Sequence, residues 1–89
     1  MIKKKATIKN KLGLHARAAV KFVNIANRFT SSVKIIKDGN EIDGKSVLGI
    51  LTLAAVKGTQ ITIKVSGNDE KIAMENLMNL VESKFQEEE

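Results

Sequence analysis

The chain has a single histidine, His15, set between Gly13-Leu14 and the run Ala16-Arg17-Ala18-Ala19. Imidazole is a good nucleophile near neutral pH, with an unperturbed pKa of about 6.5, and a phosphoryl group on one of its nitrogens stays reactive enough to be passed on. Arg17 adds a permanent, forked positive charge suited to the oxygens of a group in transfer. Together the two residues suggest a phosphoryl relay, with His15 as nucleophile and Arg17 as charge stabiliser. A lone histidine after a glycine is also what a plain helix cap or a surface residue looks like, so the spacing alone leaves both readings open.

The relay needs a helix that starts at the histidine. The alanine-rich run after His15 reads as such an opening, with Ala19, Phe22, Val23 and Ala26 at helical spacing as far as about Asn27. A helix beginning there leaves its first backbone N–H groups without intrahelical partners, and the positive end of its dipole lies behind the imidazole. The amides of Ala16, Arg17 and Ala18 are therefore the candidate cradle for a phosphoryl group. Leu12 and Leu14, in the loop Asn10 to Leu14, are expected to be exposed contacts for partners.

The other elements follow from alternation and turn chemistry. Ile2 to Lys9 reads as a one-sided strand, Val33 to Lys37 as a second, Glu41 to Asp43 as a short third, and Ile61, Ile63 and Val65 mark the clearest strand. Asp38-Gly39-Asn40 is a hairpin turn. Ser46 precedes the apolar run Val47 to Leu53, where its hydroxyl can cap a helix. Asn68 is expected to cap a last helix, with Asp69 and Glu70 in its first turn, a core stripe from Ala73 through Leu77 to Phe85, and Glu87-Glu88-Glu89 as a frayed acidic tail. The order strand, helix, strand, strand, helix, strand, helix fits an α/β (α+β) open-faced sandwich, with helices on one face of a mainly antiparallel four-stranded sheet.

Composition sets the bounds. Residues 1–89 are enough for one domain with a modest core, burying about 60–65% of the unfolded surface. There is no cysteine, hence neither a disulfide framework nor a thiolate metal site, and with one histidine a zinc site is not expected. No apolar run approaches the ~20 residues of a membrane span or forms a signal peptide, so a cytoplasmic protein without membrane insertion is expected. The net charge of +5 is unevenly placed: residues 1–37 hold ten Lys or Arg and no acid, and residues 38–89 hold five bases and ten acids. A basic field around His15 would draw acidic partner surfaces. A solvated lysine-rich face is the plainer account.

Leu12-Gly13-Leu14-His15-Ala16-Arg17-Ala18-Ala19, then Gly44-Lys45-Ser46-Val47-Leu48-Gly49-Ile50-Leu51-Thr52-Leu53 and Lys57-Gly58-Thr59, resembles the histidine-containing phosphocarrier (HPr) family of the bacterial phosphoenolpyruvate-dependent phosphotransferase system. The resemblance spans nearly the whole chain and implies the same fold. It implies that His15 accepts phosphate on Nδ1 from enzyme I and hands it to a permease A component in sugar uptake. Arg17 would assist, and Ser46 would be a regulatory phosphorylation site, with HPr kinase/phosphorylase and a transcriptional regulator as further partners. Phosphate on Ser46 would meet a favourable helix terminus and place negative charge beside Val47, Leu48 and Leu51, a candidate docking patch. The molecule would be a monomeric covalent carrier rather than an enzyme, with no cofactor of its own. A nitrogen-related regulatory carrier of the same fold is the alternative. The family usually has proline where this chain has Ala18. Counting from a His15 cap, that is the third helical position, where proline is tolerated and alanine adds a donor.

Two rivals lose on physical grounds. Gly39-Asn40-Glu41-Ile42-Asp43-Gly44-Lys45-Ser46 matches the phosphate-binding pattern G-x-x-x-x-G-K-[ST] literally. Glu41 and Asp43 would put two carboxylates where polyphosphate should sit, and Ile42 reads as strand. A nucleic-acid module would need exposed aromatics on its strands, and the only aromatics, Phe22, Phe29 and Phe85, fall in or beside helices.

Overall fold

The computed structural model describes residues 1–87. Strands β1 (Ile2–Thr7), β2 (Ser32–Lys37), β3 (Asn40–Asp43) and β4 (Gln60–Ser66) form one sheet in the order β1-β4-β2-β3, with every neighbouring pair antiparallel. Helices α1 (Ala16–Ala26), α2 (Val47–Thr52) and α3 (Glu70–Glu82) cover one face. This is the expected element order and layer arrangement.

Strand periodicity divides the sheet cleanly. Val33 and Ile35 on β2, and Ile61, Ile63 and Val65 on β4, point into the core and are at most 2% exposed. They meet Ala18, Ala19, Phe22 and Ala26 of α1 and Ala73, Met74, Leu77 and Val81 of α3 in a single apolar cluster. The register places Lys3 opposite Lys64 and Lys64 opposite Lys34, a row of lysines on the uncovered face of the sheet. Like charges directly opposite disfavour pairing, and Glu41 relieves this row through an ion pair with Lys64 at 2.8 Å. Several basic residues of the first half are engaged away from His15. Lys3 and Lys34 lie on the open face, Lys9 pairs with Glu82, and Lys37 Nζ donates to the Leu53 carbonyl at 2.8 Å.

The phosphate-loop pattern has a structural explanation. Its first glycine belongs to the β2–β3 hairpin turn, where Asp38 and Gly39 have φ of 50° and 81°, and Asn40 to Asp43 are paired strand. At Gly44 a Cβ would lie 2.5 Å from Val33 Cγ1, and the Gly44 N–H donates to the Val33 carbonyl at 2.7 Å. That glycine allows the chain to leave β3 against β2. It cradles nothing.

The start of α3 differs from expectation. Asn68 is not the cap: the capping position is Asp69, whose side chain makes no capping hydrogen bond. The Asp69 carboxylate instead accepts from the Thr30 N–H at 2.9 Å, the Ser31 N–H at 3.0 Å and the Ser31 hydroxyl. The Thr30 hydroxyl adds a fourth bond at 3.4 Å, and together these donors tie the α1–β2 connection to the foot of α3 and outcompete the local cap. Glu70 does lie in the first turn, where it pairs with the chain's amino terminus at 2.9 Å.

The far end of α3 also departs from a continuous stripe. The helix stops at Glu82, and Lys84, Phe85 and Gln86 form a left-handed turn with φ of 57°, 56° and 59°. Left-handed backbone costs roughly 1–2 kcal/mol per non-glycine residue. Complete burial of Phe85 and a 2.7 Å bond from Lys21 Nζ to its carbonyl work against that cost. Burying a large side chain contributes about 1.5–3 kcal/mol.

Candidate functional site

His15 is the N-cap of α1, with extended backbone at φ −78° and ψ 177°. Its carbonyl accepts the Ala19 N–H at 2.9 Å, and its ring Nδ1 accepts the Arg17 N–H at 3.3 Å. This is a capping hydrogen bond made by an imidazole in place of the usual short oxygen side chain. The ring therefore faces the helix amides, and 27% of its side chain is exposed. Ala16 and Arg17 are exposed and Ala18 is fully buried, placing the expected cradle amides in the first turn of α1.

The loop that delivers His15 is fixed from both sides. Gly13 has φ +68°, and a Cβ there would lie 2.4 Å from the Ala55 carbonyl oxygen. That oxygen accepts the Leu14 N–H at 2.8 Å. Below the loop, the fully buried Asn10 donates from Nδ2 to the Gly13 carbonyl at 2.7 Å.

Arg17 is exposed, and its guanidinium makes no hydrogen bond or ion pair with the other described residues. A charge held in this way is available to an incoming anion. The structure thus brings together His15, the N-terminal amides of α1 and Arg17.

The apolar candidates divide. Leu12 and Leu48 are exposed, at 66% and 77%, and Val47 and Leu51 are partly buried against the core. Leu14 was expected at the surface and is not there: it is 4% exposed and belongs to the core. The positive φ of Gly13 and the bond from the Leu14 N–H to Ala55 turn that side chain inward. Ser46 caps α2, its Oγ accepting the Gly49 N–H at 3.0 Å. The adjacent Lys45 Nζ donates to the Phe29 carbonyl at 2.9 Å, linking this cap to the end of α1.

Sequence reasoning missed one participant. Glu87 was expected in a frayed tail, yet its carboxylate lies at the site, with Oε2 2.6 Å from His15 Nε2 and Oε1 accepting from Asn10 Nδ2 at 2.7 Å. Burial pushes this carboxyl up, but the bonds from Asn10 and His15 and the charge of Lys21 outweigh it and hold the group below its ordinary value. Glu88 and Glu89, the rest of that tail, lie outside the described residues. No glycine marks the left-handed turn that brings Glu87 back, so the sequence carried no signal for it.

The site is an imidazole that caps a helix, with its Nδ1 towards the first-turn amides and Arg17 in the same turn. The family profile described as "PTS HPr component phosphorylation site" matches residues 2–83. The chain belongs to the HPr family of phosphocarriers. It is 43% identical to the phosphocarrier protein HPr of Cupriavidus necator, over the full length of both chains. It is 46% identical to the HPr-like protein Crh of Halalkalibacterium halodurans, over 92% of this chain and 98% of that one. The crystal structure of HPr-C-His from Thermoanaerobacter tengcongensis superposes over the whole of both chains with a TM-score of 0.96 at 40% identity. Members of the HPr family are phosphocarriers of the phosphotransferase system rather than catalysts. Among the described residues no cluster of metal-ligating side chains occurs, and no helix is long and apolar enough to cross a membrane.

Proposed function

We propose that His15 accepts a phosphoryl group on Nδ1 from phosphorylated enzyme I and passes it to permease A components in sugar uptake. The supporting observation is the Nδ1 contact with the Arg17 N–H at 3.3 Å in a partly exposed ring. The amides of Ala16, Arg17 and Ala18 receive the phosphoryl oxygens at the positive end of the helix dipole, and the Arg17 side chain closes over them. Partners supply the rest of the chemistry, docking on Leu12, Val47, Leu48 and Leu51. The carrier works as a monomer in the cytoplasm.

Ser46 is the regulatory phosphorylation site in this reading. Its hydroxyl is part-buried at the start of α2, and a phosphate there sets negative charge among the apolar docking residues, repelling acidic partner surfaces.

The experiment combines the protein with phosphoenolpyruvate and enzyme I. The label on the protein is expected to be labile in acid and stable in alkali, and to be absent from His15→Ala. ATP with an HPr kinase is expected to give an acid-stable ester that Ser46→Ala abolishes. A label that survives His15→Ala sinks the reading.

A further inference from the structure

Glu87 reaches the site by way of the strained turn at Lys84–Gln86, and it is held there rather than passing by. Its side chain is only 11% exposed. One carboxylate oxygen takes a hydrogen from Asn10 Nδ2, which also bonds the Gly13 carbonyl, so the residue that braces the glycine loop also fixes the tail. The other oxygen faces His15 Nε2 at 2.6 Å.

The two ring nitrogens therefore have different partners. Nδ1 meets a donor, the Arg17 N–H, and presents a lone pair to it. Nε2 meets an acceptor, the Glu87 carboxylate, and carries the proton. In a neutral imidazole only one nitrogen holds hydrogen, so both contacts select the same tautomer. It is the tautomer in which Nδ1 is the nucleophile.

We propose that Glu87 is a positioning residue for phosphoryl transfer, fixing the tautomer and orientation of His15 and balancing the charge its ring gains; this rests on the carrier reading above. The Nδ1 lone pair attacks phosphorus and forms the Nδ1–P bond, while the bond from phosphorus to the donor breaks and its electron pair leaves with the donor. The proton stays on Nε2, so the ring becomes formally cationic, and the Glu87 carboxylate already in contact with that N–H compensates it. On transfer to an acceptor the electron pair of the N–P bond returns to Nδ1 and the neutral tautomer is restored. A second-neighbour carboxylate that orients an imidazole through its other nitrogen is a general device for setting its reactive face.

The test uses the full ¹⁵N-labelled chain, with Glu87→Ala and with Glu87→Gln, which keeps the bulk and removes the charge. In the unphosphorylated wild type the His15 Nε2–H proton is expected to exchange slowly enough to be seen by NMR, with Nδ1 at the shift of an unprotonated nitrogen. Glu87→Ala is expected to lose the proton signal to solvent exchange. Both variants are expected to accept phosphate from enzyme I about tenfold more slowly, the effect of one charge-assisted hydrogen bond. Identical ring spectra and transfer rates in wild type and variants overturn the proposal, as does a lowered melting temperature with the ring spectrum unchanged, which makes Glu87 a hook for the tail alone. A wild-type chain that takes no label from enzyme I overturns the carrier reading itself, an outcome separate from either.

Discussion

Gly13 lies so close to Ala55 that a Cβ on it would stand 2.4 Å from the Ala55 carbonyl oxygen. The same oxygen holds the Leu14 N–H at 2.8 Å, so the approach of two loops fixes where His15 begins. Gly13→Ala adds a steric clash with backbone to a φ of +68° that alanine rarely adopts. The expected loss is about 2–4 kcal/mol in urea unfolding. Where the variant folds, it is expected to take phosphate on His15 more slowly, because the loop can relieve the clash only by moving the cap. A fully stable variant with unchanged transfer would show that the contact is slack.

Asp69 contributes to the acid limit. The Ser31 hydroxyl first, then the Thr30 and Ser31 N–H groups, outweigh burial and lower its carboxyl from an ordinary 3.8 to about 2. A depressed carboxylate contributes stability that is fully present above its ordinary value and is lost as pH falls through the folded one. Thermal unfolding of the wild type should therefore weaken steeply between about pH 4 and pH 2. Asp69→Asn should be less stable at pH 7 and should converge with the wild type at the acid end. Parallel curves across the whole range would remove Asp69 from the account.

The strands and the two helix starts at His15 and Ser46 were legible because alternation and capping chemistry are local signals. The misreadings share one cause: contacts between segments far apart in sequence. Asn68 is a plausible cap, but Asp69 occupies the capping position and is drawn to Thr30 and Ser31, 39 and 38 residues away. Leu14 sits beside the site in sequence and is turned inward by a contact with Ala55. Glu87 is part of an acidic run, and the burial of Phe85, the reach of Lys21 and the bond from Asn10 bring it to an imidazole 72 residues upstream. No local pattern encodes a left-handed turn of Lys, Phe and Gln.

Ser46 has a structural duty that its substitution should reveal. Its Oγ accepts the Gly49 N–H at 3.0 Å at the head of a helix of only six residues. Ser46→Ala is expected to cost about 1 kcal/mol of stability in urea unfolding, while phosphate uptake from enzyme I stays at the wild-type rate. A slowed uptake would place Ser46 in the transfer step rather than in its regulation.

Leu48 is 77% exposed beside that cap, so replacing it should leave the core untouched. Leu48→Asp is expected to change stability by no more than about 0.5 kcal/mol. It should weaken binding to enzyme I by about tenfold, the size of a central apolar anchor in an interface, as measured by calorimetry with the unphosphorylated partners. Unchanged affinity would move the docking surface away from α2.

Arg17 separates stability from transfer more sharply than any other position. Its side chain is exposed and makes no hydrogen bond or ion pair with the other described residues, so Arg17→Ala and Arg17→Lys should both unfold within about 0.5 kcal/mol of the wild type. A guanidinium that meets phosphoryl oxygens through two parallel N–H groups is not replaced by an ammonium. Single-turnover transfer from phosphorylated enzyme I is therefore expected to fall about tenfold in Arg17→Lys and about a hundredfold in Arg17→Ala, the range for losing one donor to a transferring group. Equal rates in the two variants would mean that Arg17 contributes through its fork alone, and wild-type rates in both would leave the amides of α1 as the sole support of the phosphoryl group.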